Sequence, residues 1–430
     1  MTKHAALPGF RDFYPEEMAG RNRIMNVWRE VARRYGFEEY DGPPLESLEL
    51  FIEKSGPEIV NQLFNFTDKG DREVTLRPEM TPTLVRMLGS RIKGLSRPIR
   101  WFSMPQLFRY EKQQRGRLRE HFQLNMDIVG ETSVLADADL VSAALDVLRQ
   151  LGLTKDDVVA RVSDRRLLQA ALLQLGVKDA DLPVAYNVID KVERDPREVC
   201  VKRLLDLGLS EPAADQALGL TDMTLEQFAA AHPGNEIIAT VTSELKVYFD
   251  ALERLGFGDW VVFDMKIVRG LAYYTGIVFE IFDRKGELRA ICGGGRYDSL
   301  FTSLAGIDVP ALGFGFGDVV LGELLEDRGL AGKAGRAVDA MVIAVDESVQ
   351  GKALEAVAAI RRAGFSAIYP YKSGGVGKAF KAAGNAGARF AVVIGPDEAA
   401  KGVVKAKNLA EGSETEMSLD SLVEALGRTS

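Results

Sequence analysis

The sequence predicts an α+β domain built on an antiparallel sheet, a helical insertion within it, and a C-terminal α/β domain. Three observations predict this. Residues 108–130, FRYEKQQRGRLREHFQLNMDIVG, read as a strand, a polar loop and a returning strand. Residues 165–245 turn rich in Leu and Ala and are broken at Gly176, Pro183, Gly208 and Pro233, the texture of several short helices. Beyond residue 337, apolar runs of strand length alternate with stretches of helical spacing. The expected boundaries are 1–326 for the first domain, 165–245 for the insertion, 327–336 for a linker and 337–430 for the second domain.

The totals narrow the class. At 430 residues there is room for two or three cores, and 46% hydrophobic with 27% charged residues is ordinary for a folded, water-soluble protein. A net charge of −8 argues against general adhesion to nucleic acid or anionic membrane, so any nucleic-acid contact has to be local. No apolar run is long enough to span a bilayer, and the first residues lack the apolar core of a signal peptide. Cys200 and Cys292 make no disulfide framework, and His4, His121 and His232 make a histidine-ligated zinc site unexpected. The expectation is a cytoplasmic protein with no metal site of its own.

In chain order, Ile24, Met25, Trp28, Val31 and Ala32 recur at three- and four-residue spacing, which predicts a helix over 18–35 that Gly36 stops. Residues 37–40 follow as a strand before Pro43 and Pro44. A long helix leading into such a strand suits a subunit interface and ordinary core packing equally. Short strands at 63–66 and 74–76 flank a polar turn. TLRPEMTP, residues 75–82, then leads into a helix over 83–95. Glu79, just ahead of that helix, suits either a cap or a fixed anion for a substrate ammonium. A helix over 134–151 and a strand over 158–162 close the first block. His232, in AAHPG, reads as a turn residue.

Strands at 261–263, 278–282 and 288–291 make a second block, with MKIVRGLAYYTG (265–276) and CGGGRYDSL (292–300) beside them. Three consecutive glycines let a backbone approach a ligand, but without P-loop or GxGxxG spacing they name none. LGFGFGD, residues 312–318, precedes a helix through Leu325. In the last domain strands are expected at 340–345, 365–369, 390–394 and 403–406, and helices at 351–363, 376–386 and 419–426. That domain carries 11 Lys and Arg against 11 Asp and Glu. Lys372, Lys378, Lys381, Lys401, Lys405 and Lys407 suit one basic face or scattered surface positions alike.

Chemistry gathers in the loop of 108–130. An acidic chain has placed Arg109, Lys112, Arg115, Arg117 and Arg119 there against Glu111 and Glu120. Guanidinium forks bind phosphate oxygens bidentately, so the cluster suits a polyphosphate or a nucleic-acid backbone. The plain alternative is a solvated hairpin tip. Arg109 argues against it: beside Phe108 in the strand part, its charge is expected to be buried and to need a partner or a ligand.

Together these blocks resemble the histidyl-tRNA synthetases, a class II aminoacyl-tRNA synthetase family. The resemblance covers nearly the whole chain. It rests on PGFRDFYPEE (8–17), TLRPEMTP (75–82), FRYE (108–111) with GRLREHFQL (116–124), VRGLAYYTG (268–276), GGGRYD (293–298) and GARFAVVIGPDEAAKGVVKAKNL (387–409). The RGLxYYTG and GGGRYD pair is the specific signal; the arginine at 109 alone points only to class II. The resemblance implies a class II synthetase-like catalytic domain and an anticodon-binding-like α/β domain. It implies ATP and Mg²⁺, L-histidine, tRNA(His) and a homodimer, with no membrane. The carboxylate of histidine attacks the α-phosphate of ATP, pyrophosphate leaves, and the acyl group passes to the terminal ribose of the tRNA.

The residues carry over by position. Arg109 and Arg269 are the implied catalytic pair, holding the α-phosphate from two sides. ATP falls to Arg109, Glu111, Arg117 and Arg269. Histidine falls to Glu79 and Thr81 at its ammonium, supported by Gln123, to Asp127 at its imidazole, and to Arg109 and Arg269. Tyr273 and Tyr274 close the side-chain pocket, and Tyr297 with residues 293–295 forms a wall. Residues 112–119 cover ATP and meet the tRNA acceptor end, and residues 337–430 read the anticodon.

The chain departs from the family pattern at four positions. Asp127 stands where Glu is usual, Ala272 where an acid is usual, and Val320 where most class II enzymes place an ATP-binding arginine. His121 stands one place early and is given no role. A second reading is the histidine-sensing regulatory subunit of ATP phosphoribosyltransferase, a non-catalytic paralogue with the same body. That paralogue generally lacks the C-terminal domain, which favours the enzyme. A third, a nucleic-acid-binding protein that lost activation, rests only on the altered segment 317–321.

Overall fold

Helix α1 (Pro15–Arg34) buries Ile24, Trp28, Val31 and Ala32, the stripe its spacing predicts. The structure, a computed structural model, describes residues 4–112, 114–267, 274–332, 338–371 and 375–428. One unit holds the residues to Asp12 with Arg21–Gly332, the other Phe13–Gly20 with Lys333–Ser430.

In the first unit, edge strand β1 (Glu38–Glu39) follows α1. A small three-stranded layer comes next: β2 (Leu45–Ser47), helix α2 (Leu48–Ser55), β3 (Asn65–Thr67) and β4 (Glu73–Leu76), with β4 in the middle. Helix α3 (Thr81–Gly89) is shorter than expected and gives way to a 3-10 turn, Ile92–Gly94. Strand β5 (Ile99–Ser103) was not expected. β6 (Gln106–Phe108) and β7 (Glu120–Val129) flank the basic loop, and α4 (Val134–Gln150) and β8 (Val158–Asp164) follow.

The next stretch is helical: α5 (Arg165–Gln174), α6 (Leu182–Asp190), α7 (Arg197–Asp206), α8 (Glu211–Gly219), α9 (Leu225–Ala231) and α10 (Glu236–Arg254). His232 ends α9 as a packed residue, its ring 4.9 Å from that of Phe228 and its Nδ1 3.2 Å from Gln174 Oε1. β9 (Val261–Phe263), β10 (Ile277–Asp283), β11 (Cys292–Arg296), α11 (Leu300–Ala305), β12 (Ala311–Gly317) and α12 (Asp318–Asp327) complete the unit.

Nine strands of the described residues share one sheet, ordered β1-β5-β7-β12-β11-β10-β8-β9, with β6 pairing the start of β7. Every pair from β5 to β8 is antiparallel, and the two outer pairs are parallel. Strand β11 corrects the expectation of a strand at 288–291, because the ladder runs through the glycines themselves. A Cβ on Gly294 would lie 2.2 Å from the carbonyl oxygen of Gly313. Only a strand stripped of side chains fits between these neighbours.

Alternation along β7 then divides two faces. Leu124, Met126 and Ile128 enter the large core with Trp28 and α4. Gln123, Asn125 and Asp127 point to the other face. There α3 and α11 pack a smaller core, including Leu84, Val85, Leu88, Tyr274, Tyr297 and Phe301, against only one end of the sheet. The rest of that face is left for the site.

The second unit alternates β13 (Val338–Ala344), α13 (Gln350–Arg362), β14 (Ala367–Ile368), α14 (Val376–Asn385), β15 (Ala388–Ile394), α15 (Pro396–Lys401), β16 (Val404–Asn408), β17 (Glu414–Met417) and α16 (Leu419–Arg428). Its sheet runs β14-β13-β15-β16-β17, parallel at first and antiparallel from β15 onward. α15 and β17 were not expected. Lys405 pairs with Glu398 at 2.7 Å, Lys401 approaches Glu416 at 3.4 Å, and Lys407 lies over the ring of Phe380. These three lysines therefore do not present an unpartnered basic face, and Lys372 lies outside the described residues.

Candidate active site

Register places the site. Asp127 sits opposite Gly313 and Asn125 opposite Gly315. Gly313 in turn faces Gly295, and Gly315 faces Gly293. Across β11, Gly293 faces Glu280 of β10. Glycines on two central strands thus leave a furrow between side chains of β7 and of β10. At Gly313 a Cβ would come within 2.0 Å of Asp127 Oδ1, and at Gly315 within 2.8 Å of the Gln123 amide. Both side chains lie across glycine, and no other residue leaves them room.

One end of the furrow is a pocket of about 450 Å³ lined by Glu79, Thr81, Arg109, Gln123, Asp127, Tyr274 and Tyr297. The Tyr297 hydroxyl donates to Asp127 Oδ1, and both residues are buried. Burial raises the Asp127 pKa to about 7, against the lowering effect of that hydrogen bond. Glu79 does not cap α3, whose N-cap makes no side-chain hydrogen bond. Its two oxygens accept from Lys54 Nζ, each at 2.6 Å. Burial pushes the Glu79 pKa up, but Lys54 and Arg109 outweigh it and hold the carboxylate below its ordinary value.

The other end is a cavity of about 920 Å³, lined by Arg109, Glu111, Arg117, His121, Arg289, Val319 and Val320 among others. Arg109, Gln123, Arg194, Glu280, Gly293 and Gly315 line both spaces, so the two adjoin. Arg109 differs from expectation. It stands one residue beyond β6 with a side chain 40% exposed, so its charge is not buried in a strand. Its Nε donates to the Pro78 carbonyl at 3.2 Å. Arg117 pairs with Glu111 at 2.5 Å, and Arg115 with Glu323 at 3.3 Å. Burial, then Arg109, Arg11 and Arg117, drives the His121 pKa down to about 3, so its ring is neutral.

The motifs sort into anchors and site groups. In PGFRDF, Arg11 binds Glu120 at 2.6 Å and Asp318 at 2.9 Å, tying the starts of β7 and α12. Arg77 of TLRPEMTP is buried and donates to Asp41 and to the Gly42 carbonyl. In GGGRYD, Arg296 pairs with Asp137 of α4, Tyr297 reaches Asp127, and Asp298 accepts from Thr275 at 3.0 Å.

The structure thus brings Glu79, Thr81, Arg109, Glu111, Arg117, Gln123, Asp127, Tyr274 and Tyr297 to one furrow. Arg269 and Tyr273, with Ala272, lie outside the described residues. Sequence reasoning missed Lys54, Asp190, Arg194 and Arg289. Asp190 and Arg194 come from the helical stretch that offered no reactive group, and both line the furrow. No local signal marks them; only the fold brings residues so distant in sequence together.

Comparisons with known proteins give the family. A family model described as histidyl-tRNA synthetase matches residues 9–317, and one described as anticodon binding domain matches 339–429. The chain is 44% identical to a histidine–tRNA ligase of Opitutus terrae, over 97% of this chain and 96% of that one. It is 43% identical to the chloroplastic/mitochondrial histidine–tRNA ligase of Arabidopsis thaliana, over 96% and 85%. In fold it is similar to a crystal structure of histidyl-tRNA synthetase from Nostoc sp., with a TM-score of 0.86 at 24% identity over the full length of both chains. A structure from Bacillus halodurans, titled as an ATP phosphoribosyltransferase regulatory subunit/histidyl-tRNA synthetase, shares the fold at 20% identity and a TM-score of 0.75, covering 92% of this chain and 99% of that one. This chain belongs to the histidyl-tRNA synthetase family.

Proposed function

We propose that this chain ligates L-histidine to tRNA(His) at the expense of ATP, through a histidyl-adenylate. One observation carries the reading: a small pocket holding Glu79 and the Asp127–Tyr297 pair adjoins, through Arg109, a larger cavity lined by arginines. A zwitterion with an ionisable ring suits the first, and a polyphosphate suits the second.

In this reading Glu79 and Thr81 take the substrate ammonium, with Gln123 beside them, and Asp127 with Tyr297 receives the imidazole. Tyr273 and Tyr274 close over the ring. Arg109 and Arg269 hold the α-phosphate while a carboxylate oxygen of histidine bonds to its phosphorus and pyrophosphate leaves. Cations fixed where negative charge grows lower such a barrier. Glu111 and Arg117 position the rest of the nucleotide. The tRNA terminal hydroxyl then attacks the acyl carbon and releases AMP. The domain of residues 337–430 reads the anticodon, and residues 112–119 meet the acceptor end.

Mg²⁺ enters this reading on the phosphates. Among the described residues no group of three or more His, Cys, Asp or Glu could hold a metal. Glu111, Glu280 and Glu287 line the cavity, and of these Glu111 and Glu280 would be the carboxylates to hold the ion beside the nucleotide. Bound there it would supply positive charge against that growing on the phosphates.

No described helix is long and apolar enough to cross a membrane. A cytoplasmic homodimer is part of the proposal, and light scattering at twice the 47.1 kDa chain mass tests the dimer. The regulatory-subunit reading has fold likeness behind it, whereas the relatives named as ligases share 43–44% identity and the chain matches an anticodon-binding model. Histidine-dependent exchange of pyrophosphate into ATP, followed by charging of tRNA(His), tests the function. Absence of exchange at every Mg²⁺ concentration would leave the regulatory and the nucleic-acid-binding readings.

A further inference from the structure

Val320 leaves the ATP-side cavity with an apolar wall where a cation is usual, and the structure points to what stands in for it. Arg289, in the connection between β10 and β11, opens on the same cavity. It meets Val320 over one spot, the loop glycine Gly116. From the point where a Gly116 Cβ would sit, Val320 Cγ2 is 3.2 Å away and Arg289 Cδ 4.0 Å.

The charges around it are informative. Arg115 is paired with Glu323 and Arg117 with Glu111. Arg289 donates to the neutral amide oxygen of Gln114 at 2.6 Å, and among the described residues it has no carboxylate within ion-pair distance. It lies close enough to Arg117 to repel its charge. Glu111, Glu280 and Glu287 also line the cavity, and of these Glu111 is already engaged by Arg117. Two guanidiniums held near each other on one cavity wall are mutually destabilising unless an anion comes between them.

We propose that Arg289 is a ligand of the outer phosphates of ATP, supplying from the β10–β11 connection the guanidinium that Val320 does not supply from α12. This rests on the reading of the cavity as an ATP site. It adds a binding residue that the resemblance does not carry. Gln114 holds the guanidinium over the loop until phosphate oxygens replace that amide.

Equilibrium titration of the full-length protein with a non-hydrolysable ATP analogue, with pyrophosphate and with AMP tests it. Arg289→Ala should weaken the analogue and pyrophosphate by about tenfold or more, as the loss of one charge-assisted contact does. AMP should stay within about twofold, which also shows that the variant is folded. Arg289→Lys should fall between, because a point charge replaces the fork. Equal losses for AMP and the analogue, or no loss, would overturn the assignment. The outcomes separate from those of the functional reading. Wild-type protein that binds the analogue through Arg289 but shows no histidine-dependent exchange refutes the ligase and keeps the contact. Active wild type with an indifferent Arg289→Ala does the reverse. Wild type that fails to bind the analogue ends both.

Discussion

The two ends of the furrow share a floor and are built on opposite electrostatic plans. At the small end two carboxylates already have partners: Glu79 holds Lys54, and Asp127 holds Tyr297. At the large end Arg109, Arg117 and Arg289 face one space with Glu111 as the paired acid. The difference teaches what each end can select. Paired buried groups fix donor and acceptor positions, so a ligand that cannot match them leaves polar atoms unsatisfied and is rejected strongly. An excess of half-exposed cations draws a polyanion by charge and is less exacting about shape. Arg109 lines both ends, so substitutions on either side of it should separate the two plans.

The largest effect is expected at that hinge between them. Arg109→Ala should lower the single-turnover rate of adenylate formation at least about a hundredfold, the usual scale for one transition-state donor. Histidine binding should remain measurable by titration. A rate within severalfold of wild type would break the division, because the cation common to both ends would then do no chemistry.

Next in size comes the small end's hidden partner. Lys54→Met removes one member of a buried pair and should cost roughly 3 kcal/mol of stability in denaturant unfolding at neutral pH. The sign with pH follows from Glu79. Its folded pKa is depressed, so its stabilising contribution is present above the unfolded value and is lost as pH falls through the folded one. The gap between wild type and Lys54→Met should therefore narrow in acid. A variant as stable as wild type at pH 7 would mean that Arg109 alone neutralises Glu79.

A smaller effect separates the ends by KM. In Gly313→Ala the new methyl group would fall 2.0 Å from Asp127 Oδ1 and 3.0 Å from the Met126 carbonyl oxygen. Asp127 has to move, and KM for histidine should rise about tenfold, the scale of one lost contact, while KM for ATP changes little. Equal rises in both would show that the floor, rather than the carboxylate, had been damaged.

How much of this was legible follows from which signals are local. Gln123 and Asp127 stand on a strand whose apolar residues alternate with them, so their shared face was readable before any fold was known. The helix stripe at Trp28 and the alternation of the second unit were readable for the same reason. Strand β11 was not, because glycine carries no β signal and its place depends on the approach of β12. Lys54 lies 25 residues before Glu79, on a helix set by the small β2-β4-β3 layer. Arg194 lies in a stretch whose helices are spaced by packing, and nothing local aims it at the furrow. Arg109 was legible from the basic cluster and the resemblance, but its expected burial was wrong: the side chain is 40% exposed and lines both cavities. Motifs named residues that line the furrow, and tertiary register chose those that hold them.

The finest test asks whether the small end titrates as the large end does not. Asp127 is held by burial at a pKa of about 7, above its ordinary carboxylate value, so in the folded protein it keeps its proton through mild acid. An unfolded Asp127 ionises near pH 4. Between these values the folded state binds more protons than the unfolded one, and stability falls as pH rises, by up to roughly 1.4 kcal/mol per unit. Above about pH 7 both states are ionised and the slope ends. Asp127→Asn should remove that slope, and Asp137, also raised by burial to about 6, makes the difference between wild type and variant the quantity to measure. In activity the same group should give histidine kcat/KM a rise of severalfold through neutral pH as the carboxylate becomes able to accept an imidazole N–H. The terminal phosphate of ATP ionises in the same range, so the ATP arm is compared between wild type and Asp127→Asn, which should show the same pH dependence because arginine charge does not change there. If Asp127→Asn altered the ATP arm as well, Asp127 would be coupled across the whole furrow and the two ends would be one electrostatic unit.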